Sequence, residues 1–360
     1  MRKKIAGFFR TDLGYAVKTA LTDIVLIGIG LLIFAYFHHV CPADMADSNF
    51  DIPAPTAEAV LTIPDPAPEA ETAALPEETP EPAPEAAEAT AAELTPEPTP
   101  TPEPTPEPEP EGFDLPDVFT SGEAEWTSTS YRDGDICISL SKGRESDSDY
   151  YVADIYLRDI SCLRTAFAKD QEKTGVYEGV PKMADRNNAI LAVNGDYFGS
   201  RKTGLVIRNG KGYRKSMTDD TCVLYTDGTI DIYTKSEFDL DAVLARGPYQ
   251  AWSFGPSLLK DGEWINGFSH AVAPKNPRTI LGYYEPGHYC LVCVDGRTKT
   301  SSGMTLTEAS SLMASLGVKK AYNLDGGQSS VMVFNGKKVN KPADGGRASS
   351  DIIYIGKKEG

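Results

Sequence analysis

From about Trp126 to the C-terminus, apolar residues fall in short runs broken by two-residue turn signals, with few long helical periods. Such runs read as strands joined by tight hairpins in which glycine supplies positive φ. Asp227-Gly228 separates CVLYT from TIDIYT, Asp261-Gly262 separates PSLLK from EWIN, and Asn335-Gly336 separates VMVF from KKV. Pro286-Gly287 marks a fourth hairpin between TILGYY and HYCLVCV. Helical spacing occurs twice. One helix is expected around Pro181 to Asn188, and a second from Leu306 to Leu316. In the second, Thr305 and Glu308 form a capping box, Leu306, Ala309, Leu312, Met313 and Leu316 make an apolar stripe, and Gly317 ends it. Alternating βαβ units are missing, so the fold class is α+β: a single domain of antiparallel or mixed sheets with a few helices.

The N-terminal pattern is different. Ile24 to Phe37 is an uncharged apolar run, preceded by Arg2, Lys3, Lys4, Arg10 and Lys18. Extended over residues 19–40, it reads as a transmembrane signal anchor, with residues 1–18 cytoplasmic and the C-terminal domain extracytoplasmic. A cleaved signal peptide is the competing reading, but the following HHVCPADMAD offers no clean small-x-small site directly after the run. Residues 41–112 read as a disordered stalk. Pro42 to Glu111 holds 18 of the 26 prolines and 18 Asp and Glu without one Lys or Arg. Proline removes backbone donors and like charges repel, so no core forms there. A fully polyproline-II segment of this length would reach on the order of 200 Å. Residues 113–360 form the domain.

The net charge of -17 belongs to that stalk, since removing its 18 acids from 52 leaves 34 against 35 bases elsewhere. No basic surface remains to displace counterions, which argues against a nucleic-acid binder. The cysteines are Cys41 and five in the domain, an odd number that rules out a complete disulfide framework there. Cys290 and Cys293 form a CxxC within an expected strand; their side chains then point to opposite faces and act as small buried hydrophobes.

Three polar, glycine-rich segments fall where strands should end: Ala189 to Gly210, Pro277 to Tyr284 with Val294 to Thr298 on the next strand, and Ala321 to Gly336 with GGRASSDIIYIG after it. Each alone is an ordinary turn. Together they offer Asp196, Asp295 and Asp325 as acid and base, and Arg278, Arg297 and Arg347 as bidentate donors to a phosphate. Gly326 and Gly327 let backbone amides approach an anion, with Ser329 and Ser330 beside them. Carboxylates for glycosidic chemistry and arginines for an anionic leaving group are what a sugar-phosphate diester requires.

The succession NGDYF, GLVIRNG, FGPSLL, PRTILGY, VDGR, NLDGGQSS and GGRASSDIIYIG resembles the phosphodiester glycosidase family over roughly residues 150–356. The resemblance implies a hydrolase that cleaves a sugar-1-phosphodiester, and the architecture of anchor, stalk and domain points to cell-envelope or extracellular phosphate-linked glycans as its substrates. Carried over by motif, the site residues are Asn194, Asp196 and Phe198; Arg278 and Thr279; Asp295 and Arg297; Asp325, Gly326, Gly327, Ser329 and Ser330; and Arg347. Gln328 stands where the family often has a third glycine. No cofactor is required by this chemistry, and a divalent cation held by Asp196 and Asp325 is left open. QSSV is not a nucleophile elbow, which disfavours a serine hydrolase. The competing class is a non-catalytic cell-wall or polysaccharide-binding module, with Tyr249, Trp252, Phe254 and Trp264 as its aromatic face. Nothing in the sequence bears on oligomeric state.

Overall fold

The computed structural model describes residue 20, residues 22–31, 49–53 and 113, and residues 115–217 and 220–358. Residues 1–18, much of the expected span 19–40 and nearly all of the expected stalk 41–112 lie outside them. Among the described residues no helix is long and apolar enough to cross a membrane.

Three sheets, every strand pair antiparallel, surround one core. The largest has nine strands, ordered 125–126, 130–132, 136–145, 148–157, 288–294, 278–285, 320–323, 257–260 and 263–264. A second has five, ordered 230–233, 221–225, 248–252, 205–208 and 211–215. The third is ordered 337–338, 332–334, 191–194, 351–355 and 163–167. All three contribute to a common interior: Ile155 and Leu291 from the first, Leu224 and Trp252 from the second, Val193 and Ile353 from the third.

The outer face of each sheet is covered by one helix. Leu306–Ser315 lies on the first through Leu312 and Met313, Leu240–Ala245 on the second through Val243, and Val180–Arg186 on the third through Met183 and Ala184. Two covered faces explain why strands such as Thr221–Tyr225 and Asp351–Ile355 are buried at every position rather than alternating. The CxxC strand shows the same division. Leu291 and Cys293 enter the common core, Cys290 and Val292 pack under the helix, and both thiols are buried and unpaired.

All four expected hairpins form, with Asp261-Gly262 and Asn335-Gly336 at positive φ on both residues. Thr305 caps the long helix as a full capping box with Glu308. Two features were not legible. The longest hairpin, Ile136–Glu145 with Ser148–Leu157, turns on Ser146-Asp147, both at positive φ without a glycine. The helix Leu240–Ala245 has only 6 residues, too few for a period, and is set by Asp239 accepting from the amides of Asp241 and Ala242.

Candidate active site

Strand ends from all three sheets meet at a cavity of about 440 Å³. The Leu191–Asn194 strand runs into Tyr197 and Arg201, the Pro248–Trp252 strand into Phe254, and the nine-stranded sheet supplies Arg278, Arg297 and Asp325 to Gln328. Arg347 arrives from the segment before the last strand.

The Asp325 loop is built by close backbone approach. Leu324 N still donates to Thr279 O (2.9 Å), and the chain then leaves the sheet as Gly326 N turns back to donate to Asp325 Oδ1 (2.9 Å). A Cβ on Gly326 would sit 2.7 Å from the Pro277 carbonyl oxygen, and Gly327 has φ +69° with its amide donating to that same oxygen at 3.0 Å. Both glycines are therefore required by geometry, one by space and one by backbone conformation. Gly326→Ala is expected to cost about 1–3 kcal/mol in a denaturant titration, the cost of forcing atoms into a filled site, and to lower turnover as Asp325 shifts.

Asn194 fixes the loop from behind. Its buried amide donates to Asp325 O at 2.7 Å, and its Oδ1 accepts from Thr279 Oγ1 at 2.7 Å. Asn194 and Thr279 thus tie the third sheet to the first underneath the cavity, rather than lining it. Asp325 is 7% exposed; its Oδ2 accepts from Arg347 Nη2 at 2.9 Å, and Arg347 Nε and Nη2 also donate to Ser329 Oγ at 3.1 and 2.5 Å. Burial raises the Asp325 carboxyl above its ordinary value, against the pull of Ser329, Arg347 and the Gly326 amide. Arg347 is 43% exposed in its side chain and stands over the Tyr197 ring, so it serves both the carboxylate and the cavity.

Arg278 is held at three corners. Nε donates to Met304 O (2.9 Å) and Nη2 to the carbonyls of Val272 and Pro274 (both 2.7 Å), which shapes the cavity's rim. Burial, then the neighbouring Arg297, lowers its pKa to about 10, which leaves it charged at neutral pH. Arg297, at φ +56°, donates to Asn276 Oδ1 and lies against Gly327. Gln328 donates to Asp344 at the cavity's edge.

Two of the three expected acids stand off the cavity. Asp295 accepts from Asn340 Nδ2 and Lys341 N, both at 3.0 Å, and burial raises its pKa. Asp196 accepts from the amides of Phe198 (3.0 Å) and Ser253 (3.1 Å) and faces Arg208 Nη2 at 3.1 Å. Ser330 is buried with its hydroxyl unpartnered and its carbonyl accepting from Asn340. Phe198 packs under this layer with Arg208 over its ring.

Sequence reasoning missed what lies behind Asp196. Arg208, 2% exposed, also donates through Nε to Asp351 Oδ2 at 2.9 Å, and Asp351 is fully buried beneath Gly195, where any Cβ would overlap its carboxylate. The available signal was an arginine ending the apolar run LVIR and an aspartate opening DIIYI, charges where a buried strand should have none. Tyr197 and Arg201 were also missed as cavity walls, and Phe254 entered only as part of the aromatic face of the competing reading; Arg201 lies over the Phe254 ring at 5.2 Å.

The aromatic face expected of a binding module is not assembled. Trp252 is core, Tyr249 packs against the core, Trp264 is 46% exposed elsewhere, and only Phe254 lines the cavity. Among the described residues no group of three or more His, Cys, Asp or Glu is placed to hold a metal ion.

Residues 187–356 match the family model for phosphodiester glycosidases. The chain is 31% identical over 237 residues to an uncharacterized SPbeta prophage-derived protein, YomE, of Bacillus subtilis, covering 58% of this chain and 36% of the relative's length. Among solved structures, it is similar to the zebrafish N-acetylglucosamine-1-phosphodiester alpha-N-acetylglucosaminidase catalytic domain auto-inhibited by its pro-peptide, at 22% identity and TM-score 0.49, covering 62% of this chain and 83% of that one. A hypothetical protein from Synechocystis gives 14% identity and TM-score 0.44, with 62% of each chain covered. The motifs that meet at the cavity fall inside the matched residues 187–356, and over that stretch this chain is similar to the phosphodiester glycosidases.

Proposed function

We propose that the domain hydrolyses the bond between the anomeric carbon of a sugar and a phosphodiester, releasing the free sugar and a phosphate monoester. One observation carries this reading: among the described residues the cavity is lined by four guanidinium groups, Arg201, Arg278, Arg297 and Arg347, and by a single carboxylate, Asp325. Such an excess of positive charge in a partly enclosed site selects an anion, and planar forks suit phosphate oxygens. A phosphate monoester leaves readily, so protonation of the leaving oxygen is unnecessary and one carboxylate suffices. Asp325 attacks the anomeric carbon or takes the proton of the attacking water, while the arginines neutralise the departing phosphate. Asp196 and Asp295 take no direct part, because their oxygens are committed to amides and to Arg208.

The same reading places the domain outside a membrane, anchored by residues 19–40, with phosphate-linked envelope or extracellular glycans as substrate. The helical residues 22–31 support it, since Ile24, Val25, Leu26, Ile27, Ile29 and Leu31 are all exposed to a degree that water does not favour.

The test is release of reducing sugar from UDP-N-acetylglucosamine and synthetic sugar-1-phosphodiesters by the purified protein, with and without chelator. Release is expected; its absence across several sugars from a folded protein would remove the proposal. Arg347→Lys keeps the charge but loses the fork, and a rise in KM of about 10- to 100-fold is expected from the lost charge-assisted bond.

A further inference from the structure

We propose that residues 49–53 dock on their own domain as an added edge strand, so that the Pro/Glu-rich segment 54–112 begins and ends on the domain instead of holding it at a distance. Residues 49–53 alternate in exposure: Asn49, Asp51 and Pro53 are exposed, whereas Phe50 and Ile52 are half-buried. That period of two is the signature of a strand with one face against a core. Phe50 pairs with Gly212 in an antiparallel bridge, its amide donating to Gly212 O at 3.1 Å. Gly212 belongs to Lys211–Lys215, the edge strand of the second sheet, whose outer side would otherwise present unpaired backbone groups.

The fit is specific on both partners. The Phe50 ring occupies the space that a Cβ on Gly212 would take, so the glycine is a socket for the ring. Gly212 sits where the register between this edge strand and its neighbour Leu205–Arg208 shifts, opposite Ile207. Phe50 and Ile52 then pack against the cluster of Leu205, Ile207, Val223 and Val243 under the second sheet's helix.

The far end of the segment is fixed as well. Phe113 packs against the common core and lies over Gly228 and Gly287, at two hairpin turns. The intervening 59 residues, fully extended, would span on the order of 180 Å, ample to run from one attachment to the other around a domain of this size. The consequence reverses the expectation from composition. The end of the apolar run lies about ten residues from the docked strand, at most roughly 40 Å of chain, rather than about seventy residues from the domain. The prolines and 15 acids between Ala54 and Gly112 then join two points of attachment on one domain, rather than separating that domain from the apolar run.

The experiment places a specific protease site within residues 70–100 of the full-length protein in detergent, cuts it, and follows both fragments by size-exclusion chromatography under native conditions. Co-elution of the N-terminal fragment with the domain at the mass of one chain is expected. Phe50→Asp and, independently, Gly212→Ala, which fills the socket without altering the docking segment, are each expected to lower the co-eluting fraction about tenfold or more, with the domain's own thermal unfolding retained. Separation of the fragments after cutting in the unaltered protein would overturn the proposal. Co-elution only at the mass of two chains would also overturn it, assigning the strand to a second copy.

Discussion

Asp325→Asn is expected to lower kcat by about 10²- to 10⁴-fold, the range contributed by a positioned acid or base, while leaving the fold intact. Asparagine is close in shape and can still accept from the Gly326 amide, so the loop that Asn194 and Pro277 hold in place should survive. What disappears is the only carboxylate that lines the cavity among the described residues. A pH profile separates this role from a structural one. In the proposed reaction Asp325 works ionised, and burial has raised its pKa above the ordinary 3.8, so kcat/KM in the unaltered enzyme should fall as pH drops through that raised value. The limb therefore lies higher than for an exposed aspartate, and it should be absent from the residual activity of the variant. Activity that stays within an order of magnitude of the unaltered enzyme, with the acid limb preserved, would remove Asp325 from the reaction and leave the four arginines as a binding site without its chemistry.

The strands, the four glycine hairpins and the capped helix were legible because each depends on local chemistry: periodicity, positive φ, and a side chain that closes a helix end. The Ser146-Asp147 turn lacked that signal, since neither residue announces a left-handed backbone as glycine does. In the site, the motifs located Asp325, Arg278, Arg297, Arg347 and the two glycines at one cavity. They could not rank the three acids. Asp196, Asp295 and Asp325 each follow an apolar strand in sequence, and what distinguishes them is the set of partners brought in by distant segments: Arg208 and Ser253 for the first, Asn340 and Lys341 for the second. Sequence distance hides such partners; Asn194 and Asp325 are 131 residues apart and share one hydrogen bond. Composition carries no signal for the packing of Phe50 and Ile52 against the second sheet's cluster, because they stand in a proline-rich, acidic context.

The largest expected effect on stability is at Arg208, which the mechanism uses only indirectly. Its buried guanidinium lies between Asp196 and Asp351, donates to the carbonyls of Ile207 and Ala251, and is held above its ordinary pKa by the two carboxylates despite the opposing effect of burial. Arg208→Met keeps apolar bulk beside Phe198 and Trp252 but leaves two buried carboxylates without their cation, and a loss of about 3–5 kcal/mol is expected from denaturant titration near neutral pH. The pH dependence follows from Asp351. Burial, then Asp196 and Asp325, push its pKa up to about 7 against the pull of Arg208, so the folded state retains a proton that the unfolded chain has lost above about 3.8. Its contribution to stability is therefore complete below 3.8 and is lost as pH rises towards 7. Without Arg208 the raised value climbs further, so the variant should be weakest above neutral pH and partly recover near pH 5, and adding Asp351→Asn should restore part of the loss. Stability of Arg208→Met within about 1 kcal/mol of the unaltered protein at pH 8 would show that the three charges do not depend on one another. With Asp325 among the charges that Asp351 senses, the same substitution should also raise the acid limb of the surviving activity, linking the buried layer to the cavity above it.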